Sequence, residues 1–162
     1  MIKKLSLPDK TDFVITPDNV YFEKQTQEKH LNGRILSFGL TEFEETGEGL
    51  LITENKNTID DLLSKNIYKI STQTIVKKSS LDGTIIRGRN AGDVFVFSNM
   101  TKKVKKMLNE AKVPLSKRDI LPLICDEKGI IWIPGFPLRD DAKPLDTDSK
   151  AYIYYLTQET DL

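Results

Sequence analysis

The residue types that carry most enzyme chemistry are scarce in this chain. Its 162 residues include one cysteine, Cys125, and one histidine, His30. A lone cysteine closes no internal disulfide, and Cys125 sits in an apolar run, so it reads as a buried, reduced thiol and not as a nucleophile. His30 lies between Lys29 and Leu31 with no cysteine near it, the setting of a surface histidine. Zinc-ligand spacing is missing. Neither G-x-x-x-x-G-K-[ST] nor G-x-G-x-x-G occurs, and Gly47-Glu48-Gly49 is too short and too acidic to cradle a phosphate. Asp60-Asp61 and Asp140-Asp141 are adjacent pairs, and sequence neighbours rarely point at one centre. No catalytic residue and no metal ligand is therefore assigned.

Long hydrophobic runs are absent too. None approaches the length needed to cross a bilayer, and Met-Ile-Lys-Lys-Leu-Ser-Leu-Pro lacks the apolar core of a signal peptide. With 38% apolar and 30% charged residues, the composition is that of a soluble globular protein of one ordinary domain or two small ones. The compartment expected is the cytoplasm.

What is present is charge, and it is segregated beneath a net charge of zero. Residues 84–118 hold nine cations (Arg87, Arg89, Lys102, Lys103, Lys105, Lys106, Lys112, Lys117, Arg118) against two acids, a balance of +7. Residues 42–61 hold seven acids against Lys56, a balance of −6. A local patch decides affinity for a polyanion, so a neutral sum excludes nothing.

The stretch 101–118 predicts a short helix and a turn. On a helical wheel Met107, Leu108 and Ala111 fall within about 60° of Val104, and the lysines at 102, 103, 105, 106 and 112 occupy the opposite side. Positive charge in a first helical turn and the i,i+4 pair Lys102/Lys106 each cost a few tenths of a kcal/mol. Local stability does not explain these lysines. A solvated polar face is one account and an anionic partner, a phosphate backbone above all, is the favoured one. Arg87 and Arg89 share a face if their strand persists, and guanidinium forks on one face suit phosphate oxygens. Arg118 follows a turn set by Pro114 and suits either a phosphate or a salt bridge with Asp119 or Asp93. Trp132, in an apolar strand, reads as core packing in preference to base stacking.

Along the chain, residues 13–15 and 20–23 read as a hairpin around Thr16-Pro17-Asp18-Asn19. Residues 34–40 and 50–53 read as strands joined by an acidic loop. Asn57 or Thr58 caps a helix with an apolar stripe of Ile59, Leu62 and Leu63 that ends near Asn66. Strands follow at 68–70, 73–76 and 84–87. Val94-Phe95-Val96-Phe97 is wholly apolar and is expected to be buried on both faces or beneath the lysine helix. Residues 120–125 and 130–133 flank the hairpin loop Asp126-Glu127-Lys128-Gly129; 140–149 looks like a mobile polar connection to a last strand, 151–156. The fold class is α+β, in two small modules: 1–66, and 67–162, which is rich in strands and carries the short basic helix.

Arg87-Gly88-Arg89-Asn90-Ala91-Gly92-Asp93, the lysine helix running into Ala111-Lys112-Val113-Pro114, Arg118-Asp119-Ile120-Leu121-Pro122-Leu123, Asp126, Gly129 and Ile131-Trp132-Ile133-Pro134-Gly135 together resemble the C-terminal domain of bacterial tRNA(Ile)-lysidine synthetase. The likeness covers about residues 84–139. It implies a β-sandwich-like sheet packed against the short basic helix, and a tRNA-binding domain that holds the tRNA around its acceptor stem, with Lys102, Lys103, Lys112 and Arg118 at positions where the family is basic. Two positions depart: the family commonly has arginine where this chain has Val94, and glycine where it has Asn99. In that family an N-terminal domain uses ATP to join lysine to the wobble cytidine. Its Ser-Gly-Gly-x-Asp-Ser loop does not occur here, so the resemblance implies no cofactor in this chain and a catalytic domain in the same or another chain. The competing reading is a protein-interaction module, possible as a homodimer, whose acidic region meets the basic region of a second copy.

Overall fold

Three antiparallel strands open the computed structural model, which describes the backbone of residues 3–6, 11–15, 20–24 and 30–158 and the side chains of residues 30–158. They are β1 (Lys3–Ser6), β2 (Thr11–Ile15) and β3 (Val20–Lys24), in that order across a sheet. Ile15 stands opposite Val20, so the expected hairpin pairs as read, and its turn at 16–19 lies outside the described residues. From residue 34 the elements are β4 (Arg34–Ile35), β5 (Gly39–Phe43), β6 (Glu48–Thr53), α1 (Thr58–Leu63), β7 (Tyr68–Lys77), β8 (Ile85–Arg87), β9 (Val94–Phe97), β10 (Met100–Lys103), α2 (Val104–Glu110), α3 (Leu115–Arg118), β11 (Leu123–Asp126), β12 (Gly129–Trp132) and β13 (Lys150–Gln158).

Two four-stranded antiparallel sheets result, β5-β6-β13-β7 and β12-β11-β8-β4, beside a separate β9–β10 ribbon. Leu50, Ile52, Val76, Ile153 and Tyr155 of the first sheet share one core with Ile86, Ile124, Ile131 and Trp132 of the second. Each such side chain contributes about 1.5–3 kcal/mol when fully buried. Strand alternation sends Tyr154 and Leu156 to the other face of the first sheet, where Ile59, Leu62 and Leu63 of α1 cover them. That second contact explains why β6 and β13 read as almost unbroken apolar runs.

This packing revises the boundary at residue 66. β6 is buried along nearly its whole length, so it needs a neighbour on each side. β5 supplies one and β13 the other, with Thr53 opposite Tyr152 and Gly49 opposite Leu156. β4 likewise pairs with β8. Residues 34–66 therefore belong to the same sandwich as 67–158. The run expected as one strand over 34–40 is also divided, since Gly39 turns the chain from one sheet to the other with φ at +98°.

Other details agree or are refined. The expected strands 68–70 and 73–76 are one strand, β7, with a register shift where Leu156 faces Ile70 and Tyr155 faces Thr72. Gly129, at φ +134°, closes the β11–β12 hairpin, and Asp126 Oδ1 accepts from the amides of Lys128 and Gly129. The connection 140–149 is tied down: Ala142 is fully buried and Asp140 accepts from the Ser98 amide.

Candidate nucleic-acid interface

The lysine stretch is half strand and half helix. Ser98 and Asn99 both take left-handed backbone, at φ +49° and +60°, and place Phe97 opposite Met100 in a two-residue hairpin turn. Asn99 fits because asparagine, after glycine, tolerates this region best. β10 then carries Lys102 and Lys103, which stand opposite Phe95 and Val94 of β9, so they are not on the helix as expected. Of the two expectations for residues 94–97, burial on both faces fails, while Phe95 does share a core with Val104, Met107 and Leu108 of α2. Phe95 is fully buried, yet Val94 and Val96 stand 46% and 49% exposed on the ribbon's outer face.

From Val104 the helix behaves as its periodicity requires. Val104, Met107 and Leu108 are buried and Lys105 and Lys106 are exposed. Ala111 is exposed because α2 stops there. The Val113 amide reaches back to the Leu108 carbonyl at 3.0 Å and the Lys112 amide to Asn109 at 3.1 Å, a Schellman termination. Lys112 thus occupies the position usual for glycine, at φ +56°.

Arginines and lysines separate into anchored and available groups. Arg87 forks onto Asp93, Nη1 to Oδ2 at 2.8 Å and Nη2 to Oδ1 at 3.0 Å, while the Asn90 amide donates to Asp93 Oδ2 at 2.7 Å. Burial works against the Asp93 carboxylate, but the Arg87 fork and the Asn90 amide outweigh it and lower its pKa. The 90–93 turn is therefore fixed from below. Arg89 leaves the strand, so it does not share a face with Arg87, and pairs instead with Asp119 at 3.1 Å. Its Nε is buried without a partner among the described residues. Arg118 takes neither acid anticipated for it; Nε donates to the Val113 carbonyl at 2.8 Å and Nη1 to Asn109 Oδ1. Lys117 bonds Glu48. Lys102 and Lys106 approach Glu110 at 3.7 and 4.0 Å. Lys103, Lys105 and Lys112 have no ion-pair partner among the described residues.

Arg89, Lys103 and Lys105 meet around the 90–93 turn, lining a cleft of about 430 Å³ with Asn90, Ala91, Gly92 and Asp93. Because both oxygens of Asp93 are already engaged and Arg89 is paired with Asp119, the cations the cleft leaves free are the ammonium groups of Lys103 and Lys105, suited to phosphate oxygens. The acids collect elsewhere, with Glu42, Glu44 and Glu45 around the β5–β6 turn and Asp60 and Asp61 on α1.

The residues set aside in the sequence fall as follows. Cys125 is buried, and burial pushes its thiol up to about 11. Trp132 is 1% exposed and donates Nε1 to the Phe136 carbonyl at 3.0 Å, so it packs the core. His30 is exposed. No group of three or more His, Cys, Asp or Glu able to hold a metal occurs among the described residues. The outer face of the ribbon, with Val94, Val96 and Thr101, escaped the sequence reading. Ser98-Asn99 between Val-Phe-Val-Phe and Met-Thr-Lys-Lys was the signal for it.

The architecture matches a solved structure described as "Crystal structure of TILS C-terminal domain", with a TM-score of 0.57 over 80% of this chain and 100% of that one. At 21% identity this shows the fold, an α+β domain, and it extends over more of the chain than residues 67–162, as the shared sheets require. The family comparison is more specific: residues 85–154 match the model of the TilS substrate C-terminal domain. The tRNA(Ile)-lysidine synthase of Caldanaerobacter subterraneus subsp. tengcongensis is 26% identical over 160 residues, which are 96% of this chain and 33% of that protein. Those of a Bacillus cereus strain and of Bacillus licheniformis are 46% identical over 88 residues and 49% over 53, which are 52% and 31% of this chain and 17% and 11% of those proteins. The resemblance to the C-terminal region of these synthases is thus shown, and the chain spans a third or less of the length of these relatives. No helix among the described residues is long and apolar enough to cross a membrane.

Proposed function

We propose that the protein binds tRNA, around the acceptor stem, as the C-terminal part of a lysidine-synthase-type system in the cytoplasm. The observation that carries this reading is the cleft where Lys103 and Lys105, without ion-pair partners among the described residues, converge with the Asp119-paired Arg89 beside a turn whose one acid is already engaged. Lys106, Lys112 and Arg118 extend the cationic surface along α2 and α3, and Lys102 adds to it from β10. Arg87 and Lys117 act through what they hold, the 90–93 turn and α3. ATP, lysine and the ligation chemistry belong to a catalytic domain in the same or another chain, and this region carries out no chemistry alone.

Segregated charge also favours a second reading, self-association of acidic and basic faces. One variant separates the two. In gel-shift titrations with tRNA at two salt concentrations, Lys103→Ala is expected to weaken binding and to reduce the salt slope by about 0.7–0.9, the share of one phosphate, with unchanged mass in sedimentation. Unchanged affinity with an altered mass would establish the interaction module instead.

A further inference from the structure

The ribbon β9–β10 pairs with no third strand among the described residues, and its two faces differ in chemistry. Phe95 fills the core from the inner face. On the outer face Val94 stands opposite Lys103, and Val96 opposite Thr101. All four are exposed. Lys103 belongs also to the cleft with Arg89 and Lys105, so the outer face continues the candidate phosphate-binding surface without a break.

Lysines alone attract any polyanion and distinguish little. Two β-branched apolar side chains and a hydroxyl, set among cations, match a different part of a nucleic acid. Riboses present apolar C–H surface and a 2′-hydroxyl, and A-form RNA displays both across a wide, shallow minor groove. A ribbon can lie along that surface, whereas the B-DNA minor groove is only about 6 Å wide. Strand alternation places Val96 and Thr101 about 7 Å from Val94 and Lys103, so sugar contacts and phosphate contacts lie side by side.

We infer that the outer face of the ribbon seats the ribose edge of an RNA helix, with Val94 and Val96 against sugar faces and the Thr101 hydroxyl bonded to a 2′-hydroxyl. Thr101 is then the residue that favours RNA over DNA. The inference rests on the RNA-binding reading above and adds the part of the RNA that is recognised.

The test measures affinity for an RNA hairpin and for the DNA hairpin of the same sequence at one salt concentration. Thr101→Val, which keeps shape and strand preference, is expected to lower the RNA-to-DNA affinity ratio about three- to tenfold, and Thr101→Ser to retain it. Val96→Asp is expected to weaken RNA binding about tenfold. If Thr101→Val and Val96→Asp leave ratio and affinity unchanged while Lys105→Ala still weakens RNA binding, the ribbon inference is overturned and the cationic cleft stands. If the unaltered protein binds neither hairpin nor tRNA, both readings fall together.

Discussion

Lys117 Nζ lies 3.0 Å from Oε1 of Glu48, a carboxylate that is 5% exposed. The Tyr155 hydroxyl donates to the other oxygen of the same carboxylate, and burial, followed by that bond, raises the tyrosine pKa. A lysine that looks from the sequence like one more phosphate contact thus helps to keep a negative charge inside the fold and ties α3 to β6.

Removing Lys117 should therefore act on stability first. Lys117→Ala leaves Glu48 without its cation and is expected to cost roughly 1–2 kcal/mol, less than for a fully buried pair because Lys117 is half exposed. Adding Glu48→Gln should return most of that loss in thermal melts. A Lys117→Ala protein with unchanged melting temperature and reduced tRNA affinity would show that the lysine contacts RNA directly.

Arg87 and Lys105 should separate in the same way. Arg87→Ala releases Asp93 and the 90–93 turn, so it is expected to destabilise by about 1.5–3 kcal/mol and to weaken tRNA binding without changing the salt slope. Arg87→Lys cannot restore both bonds of the fork. Lys105→Ala should leave the melt unaltered and reduce the slope by about 0.7–0.9. Parallel slopes for Lys105→Ala and the unaltered protein would remove Lys105 from the interface.

Lys112 holds left-handed backbone at the end of α2, where glycine carries no steric penalty. Lys112→Gly is expected to raise stability by about 1 kcal/mol while lowering tRNA affinity, two effects of opposite sign from one substitution. Equal or greater affinity in the glycine variant would count against an RNA contact at this lysine.

Acid stability should report on Asp126. Arg139 forks onto it, Nη1 to Oδ1 at 2.8 Å and Nη2 to Oδ2 at 2.5 Å, and that bond, against burial, lowers its pKa to about 2. A depressed carboxylate contributes stability that is complete above its unfolded pKa of about 4 and is lost as pH falls through its folded value. Asp126→Asn should therefore cost on the order of 2 kcal/mol at pH 7 and flatten the loss of stability between about pH 4 and pH 2. Denaturant midpoints across that range measure both, and a variant that keeps the full acid limb would place the titration elsewhere.

Much of the local structure was legible because its causes lie within a few residues. The buried side of α2 follows from Val104, Met107 and Leu108 at helical spacing, and the β11–β12 turn from Asp126 and Gly129. The start of α2 was misread because period and charge cannot show that β9 engages Met100–Lys103 through a left-handed Ser98-Asn99 turn. The division at residue 66 was misread because an apolar run such as β6 announces burial and not its neighbours.

The sequence by itself determined an α+β chain with a cationic segment at 84–118, an acidic one at 42–61, and a succession of short apolar strands. These properties depend on residue type and on spacing over one or two turns. Only the tertiary structure decided which cation meets which acid: Arg87 with Asp93, Arg89 with Asp119, and Lys117 with Glu48 from 69 positions away. Side-chain charge is a property of the residue. Whether it is offset depends on what the folded sheets bring within about 4 Å, and that selects the lysines left to face a partner.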